Sequence, residues 1–198
     1  LAAVGERWIA VKTHAGIGDP LFAYLEQLQR ENRVQVVISC RDPRDICLSL
    51  VDAGETARAS GRKEFSEITD LSTAVPGLQQ QIEKFKKWSA IRGALLLDYD
   101  TVAFETDTAI DRIESCLGIR SDRESAKRYA FEEAFTQKNK GQRNRFREEL
   151  TAEQNAELVQ AFAVMIANFS EGDPTAWIAE RRAEILERLE QGRAASHG

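Results

Sequence analysis

Three short apolar runs set the strongest limit on how this chain can fold: Trp8 to Val11 (WIAV), Val34 to Ser39 (VQVVIS) and Ala94 to Leu97 (ALLL). Each stops at a polar or turn-forming segment, which is the pattern of a buried strand ending at a loop. The stretches between them carry apolar residues at helical spacing. Residues 20 to 31 place Leu21, Leu25 and Leu28 on one face. Asp42-Pro43-Arg44-Asp45 then supplies a cap, a proline at the first helical position and an acid in the first turn, which predicts a helix from Pro43 towards Ala57. Leu78, Ile82, Phe85 and Trp88 recur at i, i+4, i+7 and i+10, a helix with one buried face. Ile110, Ile113 and Leu117 mark another, closed by Gly118. Thr151 to Phe169 opens with a cap, Thr-Ala-Glu-Gln, and carries Leu158, Phe162 and Ile166 four apart. Residues 174 to 191 predict a last, charged and exposed helix. Within it Trp177, Ile178, Ile185 and Leu189 offer an apolar stripe for packing or for pairing in an oligomer. Residues 58 to 70 are polar and contain a glycine, as expected of a surface loop or mobile lid. Buried strands alternating with helices predict an α/β fold, a parallel sheet covered on both faces.

A chain of 198 residues, 42% hydrophobic, can bury one sizeable core. We therefore expect a single domain over 1–198, with its core at 8–169 and a C-terminal helix at 174–191. A net charge of -5 gives no global positive field, so nucleic acid is not an expected partner. No apolar run approaches the roughly 20 residues that cross a bilayer, and LAAVGERW lacks the apolar stretch of a signal peptide, so no transmembrane segment is expected. The chain begins at Leu1 rather than Met, which predicts further residues upstream. Three cysteines, Cys40, Cys47 and Cys116, are an odd number and none forms C-x-x-C. They read as small core side chains in a reduced, cytoplasmic compartment. No H-E-x-x-H motif or cysteine cluster calls for a metal.

In parallel α/β sheets ligands sit beyond the carboxyl ends of the strands. After the first run stands Lys12-Thr13-His14, where a histidine is placed to accept a proton and a lysine to offset negative charge. Taken alone, these are equally a lysine and a histidine at a solvated strand end. After the second run comes Cys40-Arg41-Asp42-Pro43-Arg44-Asp45, with Ser49 two turns into the helix. Arg41 precedes a helix N-terminus, whose backbone N–H groups and dipole favour an anion. Residues 138 to 147 hold Lys138, Lys140, Arg143, Arg145 and Arg147 with no acid among them, and a basic loop in an acidic chain points to a bound anion.

These segments resemble, in order along residues 8 to 169, four motifs of the sulfotransferases that use 3'-phosphoadenosine-5'-phosphosulfate (PAPS). VVISCRDPRDICLSL is similar to the family's 3'-phosphate segment, a strand leading into R-D/N-P-R/K-D with a serine eight residues after the arginine, which Arg41 and Ser49 match. IAVKTHAG resembles the K-S/T-H strand end, which implies His14 as general base and Lys12 in support. LLLDYDTVAFETD resembles the family's Y-E-D segment and implies Tyr99 near the adenine. FTQKNKGQRNRFREELTAEQN resembles the R-K-G loop with its following L-T-x-E-Q helix start, matched at Lys140 and Gly141. Asn139 stands where the family has arginine, so the 3'-phosphate contact there passes to Lys138 or Arg143.

The resemblance implies a three-layer α/β/α domain with a central parallel sheet, like that of the P-loop nucleoside-triphosphate hydrolases. The first strand and the 5'-phosphosulfate loop, P-K-S/T-G-T, would precede residue 1. It further implies PAPS as co-substrate without a metal, and a small-molecule, lipid or carbohydrate acceptor whose hydroxyl or amine takes the sulfuryl group. Residues 15 to 20 and 54 to 75 would select that acceptor. Two other readings of the same layered plan are a P-loop kinase-like phosphotransferase and a non-catalytic nucleotide-binding module.

Overall fold

Two short strands, β1 (Val37–Cys40) and β2 (Leu95–Asp98), run parallel in the computed structural model of the chain, which describes residues 9–133, 141–172 and 174–195. The rest of the described chain is mostly helical: α1 (Asp19–Arg30), α2 (Pro43–Ala59), α3 (Leu71–Ser89), α4 (Tyr99–Phe104), α5 (Thr106–Leu117), α6 (Arg123–Arg128), α7 (Phe146–Glu149), α8 (Ala152–Ala161), α9 (Ala163–Met165) and α10 (Thr175–Ala195). Wide π turns follow α6 at Tyr129–Glu133 and α9 at Ile166–Ser170. The strand–helix–helix–strand order from β1 to β2 gives the α/β character expected of alternating strands and helices. The run at Trp8 to Val11 departs from expectation. Trp8 lies outside the described residues, and residues 9 to 11 are irregular, with Ile9 62% and Val11 82% exposed. An apolar run becomes a strand only where a neighbour pairs its N–H and C=O groups, and the described sheet has two strands, neither pairing with these residues.

The chain divides into two compact units, and the division falls inside both strands. One comprises residues 1–38, 80–96 and 173–198, the other residues 39–79 and 97–172.

In the first unit the core gathers Ile17, Phe22, Val36, Ile38, Ala90, Ile91 and Ile185. Helix α1 starts at a proline in its first turn; of the face marked by Leu21, Leu25 and Leu28 it buries Leu28 and packs Leu25, partly buried, against the core, while Leu21 stays 46% exposed. Its buried side chains are Phe22, Glu26, Leu28 and Gln29. Two effects turn it this way. Phe22 carries the largest apolar side chain of the helix, and sealing such a ring from water contributes about 1.5 to 3 kcal/mol. Glu26 and Gln29 can follow it inside because each finds fixed partners. Glu26 takes a two-pronged pair from Arg182 at 2.9 and 2.7 Å and accepts the Arg92 backbone N–H at 2.9 Å. Gln29 donates to the Arg92 carbonyl at 3.0 Å and accepts the Val36 N–H at 3.1 Å. Gly93 makes the turn into β2 at φ +78°, where a Cβ would lie 2.9 Å from the Gln29 amide nitrogen. Helix α10, read as charged and exposed but with an apolar stripe for packing, uses that stripe: it buries Ile185 completely and packs Leu186 and Leu189 against the core, since spacings of three and four turn these residues to one side.

In the second unit, α2 is capped as its sequence predicts: Asp42 accepts the Arg44 backbone N–H at 2.8 Å. It runs two residues past Ala57. The segment after it is mostly exposed, as expected of a surface loop, and is pinned at two points. Arg58 Nη1 donates to the carbonyls of Ser66 at 3.2 Å and Ile68 at 2.6 Å, and the Ile68 side chain is buried. Helix α5 closes on Gly118 at φ +64°. Thr151 and Gln154 form a reciprocal capping box at the start of α8, which packs against α2. The helix expected to run to Phe169 breaks at Phe162 into α9 and the second π turn. Gly172 follows, where a Cβ would meet the Ala167 carbonyl oxygen at 1.8 Å, the close approach that the widened turn creates.

Candidate functional site

The residue after β1 leaves the sheet just where α2 begins, and the helix repeat puts residues 41, 45 and 49 in line along one side. Arg41 spans all three. Its Nη2 donates to Asp45 Oδ2 at 3.2 Å and to the Gln142 carbonyl at 3.5 Å, and its Nη1 donates to Ser49 Oγ at 3.2 Å. The guanidinium carbon lies 4.1 Å from the centre of the Tyr99 ring. Arg41 Nε is buried with no hydrogen-bond partner.

Tyr99 reaches this position because β2 ends at Asp98, which caps α4. Asp98 accepts the Thr101 N–H at 2.7 Å and its hydroxyl at 2.6 Å. Burial opposes ionisation of Asp98, but these two bonds, with its own backbone N–H and the charge of Arg112, outweigh it and hold its carboxyl below the usual range. Tyr99 and Phe104 then meet edge to face, 6.0 Å between centres. Asp100 is shifted the other way. Burial raises it, the nearby charges of Asp98 and Asp45 add to this, and Arg143 and Arg41 partly offset them.

The segment that returns from Gly141 folds onto the same unit through two left-handed residues, Gly141 at φ +62° and Asn144 at φ +52°. Asparagine is among the few side chains that tolerate this conformation. Phe146 N donates to Asp45 Oδ1 at 3.0 Å, so the carboxylate that holds Arg41 also holds the loop. Arg143 is half-exposed. It donates to Glu105 at 3.0 Å, lies 3.7 Å from Asp100 and stacks over Phe104 at 4.7 Å. Arg145 is buried and reaches Ser49 Oγ at 3.4 Å. Arg44 is locked away from any ligand by Asp42 at 2.9 and 2.6 Å, Glu171 at 2.9 Å and the Phe146 ring at 3.7 Å.

Of the residues singled out in the sequence, Arg41, Ser49 and Tyr99 stand together, with the backbone of Gln142 beside them and Arg143 one aromatic ring further along α4. Lys138 and Lys140 lie outside the described residues. Lys12 and His14 belong to the first unit, exposed on the irregular segment before α1, and neither makes a hydrogen bond or ion pair with a described residue. Asp45 and Arg145 are site residues that sequence reasoning did not assign. The spacing of Arg41, Asp45 and Ser49 could have shown the first; no local signal marks the second.

The arrangement holds donor groups of the kind that suit an oxyanion. Two donors near the first two turns of a 17-residue helix lack full satisfaction: Arg41 Nε, and the Ser49 hydroxyl, which accepts from two guanidinium groups and has no acceptor of its own among the described residues. The nearby thiols offer no nucleophile at neutral pH, since burial pushes Cys40 up to about 11 and Cys47 up to about 12. Among the described residues no cluster of histidine, cysteine or carboxylate side chains is arranged to hold a metal ion, and no helix is long and apolar enough to cross a membrane. A groove at the end of α5 is lined by Glu114, Ser121 and Arg123, which are already bonded to one another. Compared with known protein families, characterised proteins and solved structures, the chain matches none.

Proposed function

We propose that this chain is a PAPS-dependent sulfotransferase acting on a hydroxyl or amine of a small-molecule, lipid or carbohydrate acceptor. The observation that carries the proposal is the convergence of Arg41 and Ser49, with Tyr99 beside them, beyond the carboxyl ends of two parallel strands. That is where the resemblance puts the 3'-phosphate and the adenine. The residues fit the nucleotide chemically: a buried, unpaired N–H on Arg41 and a hydroxyl proton without an acceptor are the donors that a phosphate dianion requires. Gly141 and Gln142 bring a further stretch of backbone to the same place.

PAPS supplies the activated sulfuryl group. The chain's own contribution is binding, alignment and charge compensation, the main sources of rate in transfers of this kind. On the resemblance of IAVKTHAG, His14 takes the proton of the acceptor hydroxyl and Lys12 offsets charge on the group in transfer. The finer architecture, a three-layer α/β/α domain of the P-loop type whose first strand and phosphosulfate loop precede residue 1, is part of the proposal. So is a cytoplasmic site of action, supported by three free thiols.

Calorimetric titration with 3',5'-adenosine bisphosphate tests it, comparing wild type with Arg41→Ala. Micromolar binding that weakens about tenfold or more, roughly 1.4 kcal/mol, is the expected result. A wild-type chain that does not bind the nucleotide refutes the proposal. Binding without sulfate transfer to any hydroxyl or amine acceptor would make the chain a nucleotide-binding module instead.

A further inference from the structure

A serine two turns inside a helix ordinarily returns its hydroxyl proton to the carbonyl four residues earlier. Ser49 does not. Its oxygen accepts Arg41 Nη1 at 3.2 Å and Arg145 Nη1 at 3.4 Å, and among the described residues its proton goes to no acceptor. A hydroxyl has two lone pairs and one proton. With both lone pairs facing cationic donors, the proton is left to point away from them.

Arg145 is itself held firmly. Its side chain is 1% exposed, with Nε and Nη2 donating to Glu149 at 2.7 and 2.8 Å, and Nη2 also 2.8 Å from Asp52. Two carboxylates neutralise it, so it offers little net charge to a ligand. What it provides is geometry, because a planar fork fixed on three sides has one direction left for its remaining amino group. Arg145 also follows Asn144 and precedes Phe146, whose N–H is bonded to Asp45. The returning loop is thus fastened to α2 at two adjacent points, Asp45 and Ser49, and both of these also hold Arg41.

We propose that Arg145 is a positioning residue of the anion site: by occupying one lone pair of Ser49 Oγ, it keeps that hydroxyl turned outward as a donor to a phosphoryl oxygen and couples the seating of the 141–146 loop to the readiness of the site. The inference rests on the proposed 3'-phosphate site and adds a residue that acts through Ser49, not on the ligand.

A double-mutant cycle on binding of 3',5'-adenosine bisphosphate separates this from a purely structural role, using wild type, Arg145→Lys, Ser49→Ala and the double variant. Lysine keeps the charge but cannot reach Glu149, Asp52 and Ser49 at once. Each single substitution is expected to weaken binding about fivefold, and Arg145→Lys to cost less than about twofold once Ser49 is alanine. Equal weakening by Arg145→Lys in both backgrounds, or none in wild type, overturns the inference and leaves the anion site standing. Absence of nucleotide binding by wild type overturns the site and the inference together. Should Arg145→Lys lose cooperative unfolding, Asp52→Asn, which removes one anchor of the guanidinium, enters the cycle in its place with the same expected dependence on Ser49.

Discussion

Replacing Gly54 by alanine tests whether the segment after α2 is seated as described, because two physical effects of the change have opposite signs. Gly54 lies inside α2, where glycine to alanine ordinarily stabilises a helix by about 0.5 to 1 kcal/mol. A Cβ at this position, however, would lie 2.0 Å from the Ile68 carbonyl oxygen and 2.9 Å from that of Phe65. Carbon and oxygen touch at about 3.3 Å, so the first contact is too close by more than an ångström, and the obstacle is backbone that no rotamer can move. Relief means displacing residues 65 to 68, which Arg58 holds through Ser66 and Ile68. One charge-assisted hydrogen bond lost is about 1.5 to 3 kcal/mol, and re-exposing part of the Ile68 side chain adds up to about 2. After the helical gain is subtracted, a net loss of about 3 kcal/mol remains, a fall in Tm of roughly 6 to 12 °C for a chain of this size. Gly77→Ala in α3 is the control, since a Cβ there meets nothing within 4 Å, and it should raise Tm by about 1 to 4 °C. Thermal unfolding followed by circular dichroism reads both. If Gly54→Ala melts at or above wild type, the close seating of residues 65 to 68 on α2 is wrong.

Glu114 accepts the Ser121 N–H and hydroxyl at 2.6 and 2.8 Å and pairs with Arg123 at 2.7 Å, which together hold its carboxyl down at about 2 against an ordinary 4.5. A carboxyl lowered in the folded state adds stability above its unfolded pKa and loses it as the pH falls through the folded one. Glu114→Gln should therefore lower the urea midpoint at pH 7, with the gap to wild type closing between about pH 4.5 and 2; a gap unchanged at pH 2 contradicts the ion-based account. Cys47 is fully buried and its thiol stands near 12, so dithiobis-nitrobenzoate at pH 8 should leave it unmodified until urea unfolds the chain. Peptide mass spectrometry assigns the modified site, and rapid labelling of native Cys47 would contradict the packing around it.

Local signals found most of the elements because they describe interactions within a few residues. Asp42 and Pro43 mark the start of α2, Thr151 with Gln154 that of α8, and Gly118 the end of α5, since each cap is complete within one turn. The apolar runs at 34–39 and 94–97 likewise overlap β1 and β2. Periodicity failed where burial was decided by partners distant in sequence. Leu21 and Phe22 stand about 100° apart on α1, and it is Phe22 that goes fully inside, together with Glu26, whose partner Arg182 lies 156 residues away. No window along α1 contains that information. Residues 58 to 70 read as a surface loop or lid because they are polar, and most are exposed, but polarity is silent on their carbonyls, two of which Arg58 fastens.

The candidate site divides along the same line. Arg41, Asp45 and Ser49 are legible together because a helix repeat of four aligns them, and the motif they form is local. Arg143 and Arg145 are not separable by composition, being two like charges one residue apart in a basic loop. Their fates differ through the carboxylates each one meets. Arg143 faces Glu105 and Asp100 at the exposed ends of α4, so it stays half-exposed and stacked on Phe104. Arg145 meets Glu149 one turn on and Asp52 from α2, and with both charges countered it can be buried at modest cost. Only then does its remaining amino group reach Ser49, 96 residues earlier in the chain. On the proposal above, the residue that finishes the site is thus set by an acid on another helix, Asp52 of α2.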